Sequence, residues 1–211
     1  MYLHLELKVV PVELLTEAVD RLFDMHTLMS QNDGFVEAHM WRYLGAPGKY
    51  LIVRTWQSPE AHETYRETPE AKNFSAGRAS PMPYKNLVVQ HWNEVARSAG
   101  SSQGDFLVRS LHNVGAGSDD AYLAIRRQYD ALTAIPGMPP ASQVEVRTYR
   151  PLTGVDDLTE ALVLERRTNR AGYDAFLESQ ISAGYEASLA STLYTTSIVE
   201  FYELVQQVLP K

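Results

Sequence analysis

The sequence predicts an α+β fold: two tandem ferredoxin-like (βαββαβ) domains whose four-stranded antiparallel sheets pack face to face within one chain. Three observations carry this. The first is repetition. Leu51-Ile52-Val53-Arg54, then Ser58-Pro59-Glu60-Ala61-His62 and Tyr65, returns as Leu162-Val163-Leu164-Glu165, then Asn169-Arg170-Ala171-Gly172-Tyr173 and Phe176, through a strand, a cap and a helix. The second is element order, which runs strand, helix, two strands, helix, strand in each half. The third is composition. The strands are apolar or aromatic on both sides, Tyr50, Ile52 and Trp56 against Leu51 and Val53 for example, so the sheet face away from the helices also has to be buried. A twin module in the same chain can cover what a single copy would bury by dimerising.

The elements follow in order. From Tyr2 to Val10 the chain alternates, with Leu3, Leu5, Leu7 and Val9 on one face and His4, Glu6 and Lys8 on the other. This is a strand with one face in a core, and its polar face reads as solvated or interfacial. Pro11 opens a helix reaching about Ser30, with Leu15, Val19, Leu22, Phe23, His26 and Met29 at three- and four-residue steps and Gly34 after its end. Phe35 to Tyr43 and Tyr50 to Trp56 flank Gly45-Ala46-Pro47-Gly48 as a hairpin. Ser58-Pro59 starts a second helical region, and Thr68-Pro69 restarts it, so it comes in two pieces. Asn86 to Val95 closes the half.

Residues 97–104, polar and small, read as a linker between a first domain over 1–96 and a second over 105–211. The second half then repeats the order. It runs as a strand from Asp105 to Val114, a helix from about Ser118 to Ala134, strands Gln143 to Arg150 and Glu160 to Arg167, a helix from Asn169 to about Ala190, and a strand Thr196 to Val205.

Composition narrows the partners. The chain has 211 residues, 45% hydrophobic and 21% charged, with no cysteine, which removes disulfide and thiolate chemistry. No stretch approaches the roughly 18 consecutive apolar residues of a membrane helix, and the N-terminus lacks a signal-peptide pattern, so a cytoplasmic protein with no membrane partner is expected. A net charge of -7 with scattered Lys and Arg argues against nucleic acid. The expected state is a monomer paired with itself as an intrachain pseudo-dimer.

The run Leu51 to His62, a strand ending in Trp56 and a Ser-x-Glu-Ala helix start, resembles the antibiotic biosynthesis monooxygenase family of the dimeric α/β-barrel superfamily. The resemblance spans roughly 2–95 and 105–205. It implies an intrachain version of a barrel that is usually a homodimer, in a superfamily that includes cofactor-free monooxygenases, haem-degrading enzymes and isomerases. In the cofactor-free branch a Trp ends the third strand, matched by Trp56. A Tyr follows six residues later, where this chain has His62, and an Asn stands four residues before the Trp, at Ile52. The second half has Arg167, Tyr173 and Val163 at those places. The haem-degrading branch would put its Asn at Glu6, and its Trp and iron-ligating His at Tyr65 and at Phe74 or Ser75, so no imidazole falls on the ligand position. The cofactor expectation is therefore none, with haem as an alternative.

Cofactor-free oxygenation needs a group to form the substrate anion and a dry pocket to stabilise it. His62, an imidazole with an ordinary pKa of ~6.5, suits that role beside Trp56. Trp56 and His62 are the catalytic candidates. His39, Trp41 and Tyr43 on the second strand, Tyr65 one turn beyond His62, and Tyr173 are the candidates for binding a small aromatic or quinol-like substrate. Gly115-Ala116-Gly117 precedes Asp119 and Asp120, which would repel a phosphate. No histidine spacing matches a metal-ligand motif. A non-catalytic ligand-binding or scaffold protein of the same fold is the competing reading.

Overall fold

The computed structural model describes residues 1–76, 85–98, 104–115, 117–133, 143–152, 160–178, 183–184, 187 and 195–211. Of the sequence-predicted features, residues 99–103 of the linker, Ala116 and most of 179–190 lie outside the described residues.

The first half runs β1 (Tyr2–Val9), a short 3-10 turn (Val12–Leu14), α1 (Leu15–Met29), β2 (Phe35–Tyr43), β3 (Lys49–Trp56), α2 (Pro59–Arg66), α3 (Pro69–Ala76) and β4 (Lys85–Arg97). The second runs β5 (Phe106–Asn113), α4 (Asp119–Thr133), β6 (Gln143–Pro151), β7 (Glu160–Arg167), α5 (Arg170–Leu177) and β8 (Thr195–Val208). In hydrogen-bonding order the first half runs β1-β3-β2 and the second β8-β5-β7-β6, all pairs antiparallel, the order expected of ferredoxin-like modules. Two compact units are distinguished, Met1–Trp92 with Leu204–Lys211, and Asn93–Glu203.

Register displays the duplication more sharply than sequence. In the first half Tyr2 pairs with Trp56, His4 with Arg54 and Glu6 with Ile52. In the second, Phe106 pairs with Arg167, Val108 with Glu165 and Ser110 with Val163. Even the irregularity recurs, with one bulge between Phe35 and Glu37 opposite the end of β3 and another between Gln143 and Glu145 opposite the end of β7. A bulge inserts one residue and bends its strand, so its repetition at matched places marks a shared backbone plan.

The cap signals act as read. The Ser58 hydroxyl accepts from Ala61 N at 3.2 Å, and Asn169 Oδ1 accepts from Gly172 N at 2.9 Å. α1 buries Ala18, Leu22, Met25, His26 and Met29, while Phe23, expected on the inner stripe, is exposed. Leu3, Leu5 and Leu7 are buried as expected. The opposite face of β1 corrects the sequence reading: Lys8 is only 2% exposed, and His4 and Glu6 are largely covered. Helices α1 to α3 lie over that face, so its polar groups are enclosed. Among the described residues no helix is long and apolar enough to cross a membrane.

Candidate functional site

Beneath those helices the first half holds a cavity of about 680 Å³. β1 contributes His4 and Glu6, β3 Arg54, and β4 Val89 and His91. Met25 and Met29 come from α1, His62, Tyr65 and Arg66 from α2, and Ala71, Lys72 and Phe74 from α3. Alternation on β1 aims His4 and Glu6 to the helix side. The Ser58 cap starts α2 so that His62 and Tyr65, three residues apart, share its inner face.

A charged network forms the floor. Glu6 Oε1 lies 3.0 Å from Arg54 Nη1 and 2.9 Å from His4 Nε2, and Glu6 Oε2 lies 2.6 Å from Lys8 Nζ. Arg54 Nε also donates to His26 Nε2 at 3.1 Å. Burial alone would raise the Glu6 carboxyl, but Arg54, the hydrogen bond from His4, and Lys8 outweigh it and hold Glu6 well below the usual carboxylate range. His26 is pushed well below its ordinary value by burial and by Arg54, so it is a neutral acceptor for that guanidinium.

Three imidazoles stand over this floor. Ring centroids of His4 lie 5.0 Å from His62 and 4.9 Å from His91, with His62 and His91 6.3 Å apart. Tyr2 hydroxyl is hydrogen-bonded to His91 Nδ1, and burial pushes the Tyr2 hydroxyl up to about 12, so it stays protonated. Burial also lowers His4, against the raising effect of its bond to Glu6. It brings His62 down to about 3, with His4 and His91 adding to the effect. The Nδ1 atoms of His4 and His62 are both buried without a hydrogen-bond partner. Among the described residues no group of three or more His, Cys, Asp or Glu side chains has metal-holding geometry.

Of the residues singled out from the sequence, His62 and Tyr65 line the cavity. Trp56 is fully buried behind them, its ring 5.5 Å from His62 and 5.4 Å from Tyr65, and its Nε1–H has no acceptor. His39, Trp41 and Tyr43 stand elsewhere. His39 and Trp41 are buried with their rings 5.7 Å apart, and Tyr43 stacks under Lys49 Nζ at 4.4 Å. Tyr173 lies in the second half within a cluster of Phe106, Val108 and Phe176, with Phe201 against it. His4, Glu6, Arg54 and His91 were not anticipated. The available signal was three ionisable side chains alternating with leucines on a strand whose two faces both need covering.

The second half places aromatic rings at the matching positions. By register, Tyr2, His4, Arg54 and Trp56 correspond to Phe106, Val108, Glu165 and Arg167, and by cap position His62 and Tyr65 correspond to Tyr173 and Phe176. Tyr173 packs 6.1 Å from Phe106 and 5.6 Å from Phe201, with the Arg167 guanidinium 4.4 Å over Phe176. Where the first half has imidazoles around a space, the second has rings in contact.

Comparison with known proteins agrees with this architecture. Residues 1–77 match the sequence profile described as antibiotic biosynthesis monooxygenase. No curated protein matches the chain. A "putative monooxygenase" from Lactobacillus acidophilus NCFM has a similar structure, at 11% identity and a TM-score of 0.71, over 99% of this chain and 96% of that one. Its namesake from Fusobacterium nucleatum subsp. nucleatum gives 12% and 0.75, over 99% and 94%. An anthrone oxidase-like protein gives 10% and 0.60, over 99% and 93%. At such identities the likeness is one of fold. The profile match covers residues 1–77, and the repeated strand register shows that the second half follows the same backbone plan, so the chain is a tandem of two similar modules of which the first resembles antibiotic biosynthesis monooxygenases.

Proposed function

We propose that the first half is a cofactor-independent monooxygenase acting on a small aromatic or quinol-like molecule held in the cavity. The supporting observation is the cavity wall, where His4 and His62, each with a buried Nδ1 that has no hydrogen-bond partner, line the space with Tyr65, Met25 and Met29. A buried polar atom without a partner costs about 1–3 kcal/mol, and a ligand oxygen would offset that cost. The ring and thioethers suit a flat apolar body.

In the reaction the substrate loses a proton, and its anion passes an electron to dioxygen. One oxygen atom joins the carbon and the other leaves as water, so a ring methylene becomes a carbonyl with no outside reductant. His62 stays neutral and hydrogen-bonds the substrate oxygen. Trp56 touches His62 and Tyr65 from behind and fixes their orientation. His39, Trp41, Tyr43 and Tyr173 fall outside the contact set in this reading. Haem is the less favoured reading, because Phe74 or Ser75 stands where haem-degrading relatives place the iron ligand, and Phe74 lines the wall without a donor atom.

Oxygen uptake with a panel of anthrones and naphthohydroquinones, corrected for autoxidation, tests the reading. Wild-type protein is expected to accelerate uptake, and His62→Gln, which alters the hydrogen bond to the substrate oxygen, to reduce the enzymatic rate by about a hundredfold. Binding of a panel member with no accelerated uptake would favour the ligand-binding alternative. A Soret band on adding hemin would favour the haem alternative.

A further inference from the structure

We infer that the His4–Glu6 pair is the proton acceptor of this cavity, taking the hydroxyl proton of a phenol- or enol-type substrate; this rests on reading the cavity as the substrate site. The argument starts from Glu6. Its carboxylate is bound by Arg54 Nη1 at 3.0 Å and Lys8 Nζ at 2.6 Å, two cations that keep it ionised. An ionised carboxylate only accepts hydrogen bonds. His4 Nε2, 2.9 Å from Glu6 Oε1, therefore carries the ring hydrogen. In a neutral imidazole this leaves the lone pair on Nδ1, the buried atom with no partner on a ring that lines the cavity.

The proton balance is simple. The substrate O–H bond breaks, the proton forms an N–H bond at His4 Nδ1, and the electron pair stays on the substrate oxygen. The resulting imidazolium faces the Glu6 carboxylate, which stabilises it as the carboxylate of a hydrolase triad stabilises its histidine. Neither neighbour matches this arrangement. The nearest carboxylate to His62 is the exposed Glu63 at 3.7 Å, and His91 Nδ1 is already engaged by Tyr2. The second half lacks the whole set, with Val108, Ser110 and Glu165 in register with His4, Glu6 and Arg54. The assignment therefore belongs to the first half alone.

Nitrogen NMR of the ¹⁵N-histidine-labelled full chain, assigned through bonds, reads the tautomer without any variant or ligand. The expected spectrum shows neutral His4 protonated at Nε2, and the ordering is lost in Glu6→Gln. A second measurement uses 7-hydroxycoumarin, whose excitation spectrum separates phenol from phenolate. Wild type is expected to hold it as phenolate at a pH about one unit below its solution pKa, Tyr173→Phe to do the same, and His4→Gln to bind it as neutral phenol. A hydrogen on His4 Nδ1, or a phenolate band that survives His4→Gln, overturns the assignment. If the coumarin fails to bind while the tautomer is as stated, the aromatic-substrate reading falls and the pair's orientation stands.

Discussion

His62 and His112 are each almost fully buried, and both are held at about 3, burial being the leading cause in each case. Their ordinary value is 6.5. Between those values the unfolded chain binds protons that the folded chain refuses, so the stability contribution is complete above about pH 6.5 and declines as pH falls. Each histidine then weighs about 1.4 kcal/mol per pH unit against the fold. Glu6 shifts in the same sense from a lower starting value, and its contribution is lost only in more acid solution. The melting temperature by circular dichroism should therefore drop between about pH 7 and about pH 5, before carboxylates titrate. A flat profile over that span would contradict the buried, neutral imidazoles. Trp56→Ala, which empties a fully enclosed site behind His62, should cost about 3–5 kcal/mol in chemical denaturation.

At the scale of elements, turn and cap chemistry was legible because it acts over three or four residues. Ser58→Ala and Asn169→Ala should each lower stability by about 1 kcal/mol, and by similar amounts, since the two caps do the same work in the two copies. Gly34 is less forgiving. It sits at φ +83° between α1 and β2, and an added Cβ would fall 2.6 Å from the Ala61 Cβ on α2. Gly34→Ala should destabilise by more than about 1 kcal/mol and shift α2, visible as changed His62 resonances. Two element-level readings needed the structure. Phe23 fits the periodic stripe of α1, yet that stripe is narrower than its hydrophobicity implies, with Ala18, Leu22, Met25, His26 and Met29 taking the inner face. The polar face of β1 was read as solvated or interfacial, because alternation alone cannot tell water from a helix above the strand.

Across the whole molecule the two copies share a backbone plan and differ in what fills it. The first keeps an open space walled by imidazoles with unused nitrogens, while the second stacks Phe106, Tyr173, Phe176 and Phe201. The candidate site of one copy and the aromatic packing of the other thus draw on the same positions. Writing second-half residues into the first half, His4→Val with His62→Tyr, should raise the denaturant midpoint while abolishing oxygen uptake, because rings in contact replace unpartnered polar atoms. A lower midpoint would show that the imidazoles are structural in themselves. Tyr173→Phe, in the second copy, should leave uptake unchanged.

Duplication, element order, caps and the absence of thiol chemistry were determined by the sequence itself, since each rests on neighbours within a few residues or on direct repetition. His62 and Tyr65 were within reach for the same reason, being one helical turn apart on a capped helix. Gathering His4, Glu6, Arg54 and His91 around them was decided only by tertiary structure. Those side chains come from three strands, and strand register sets their spacing, so no local pattern in the chain encodes it.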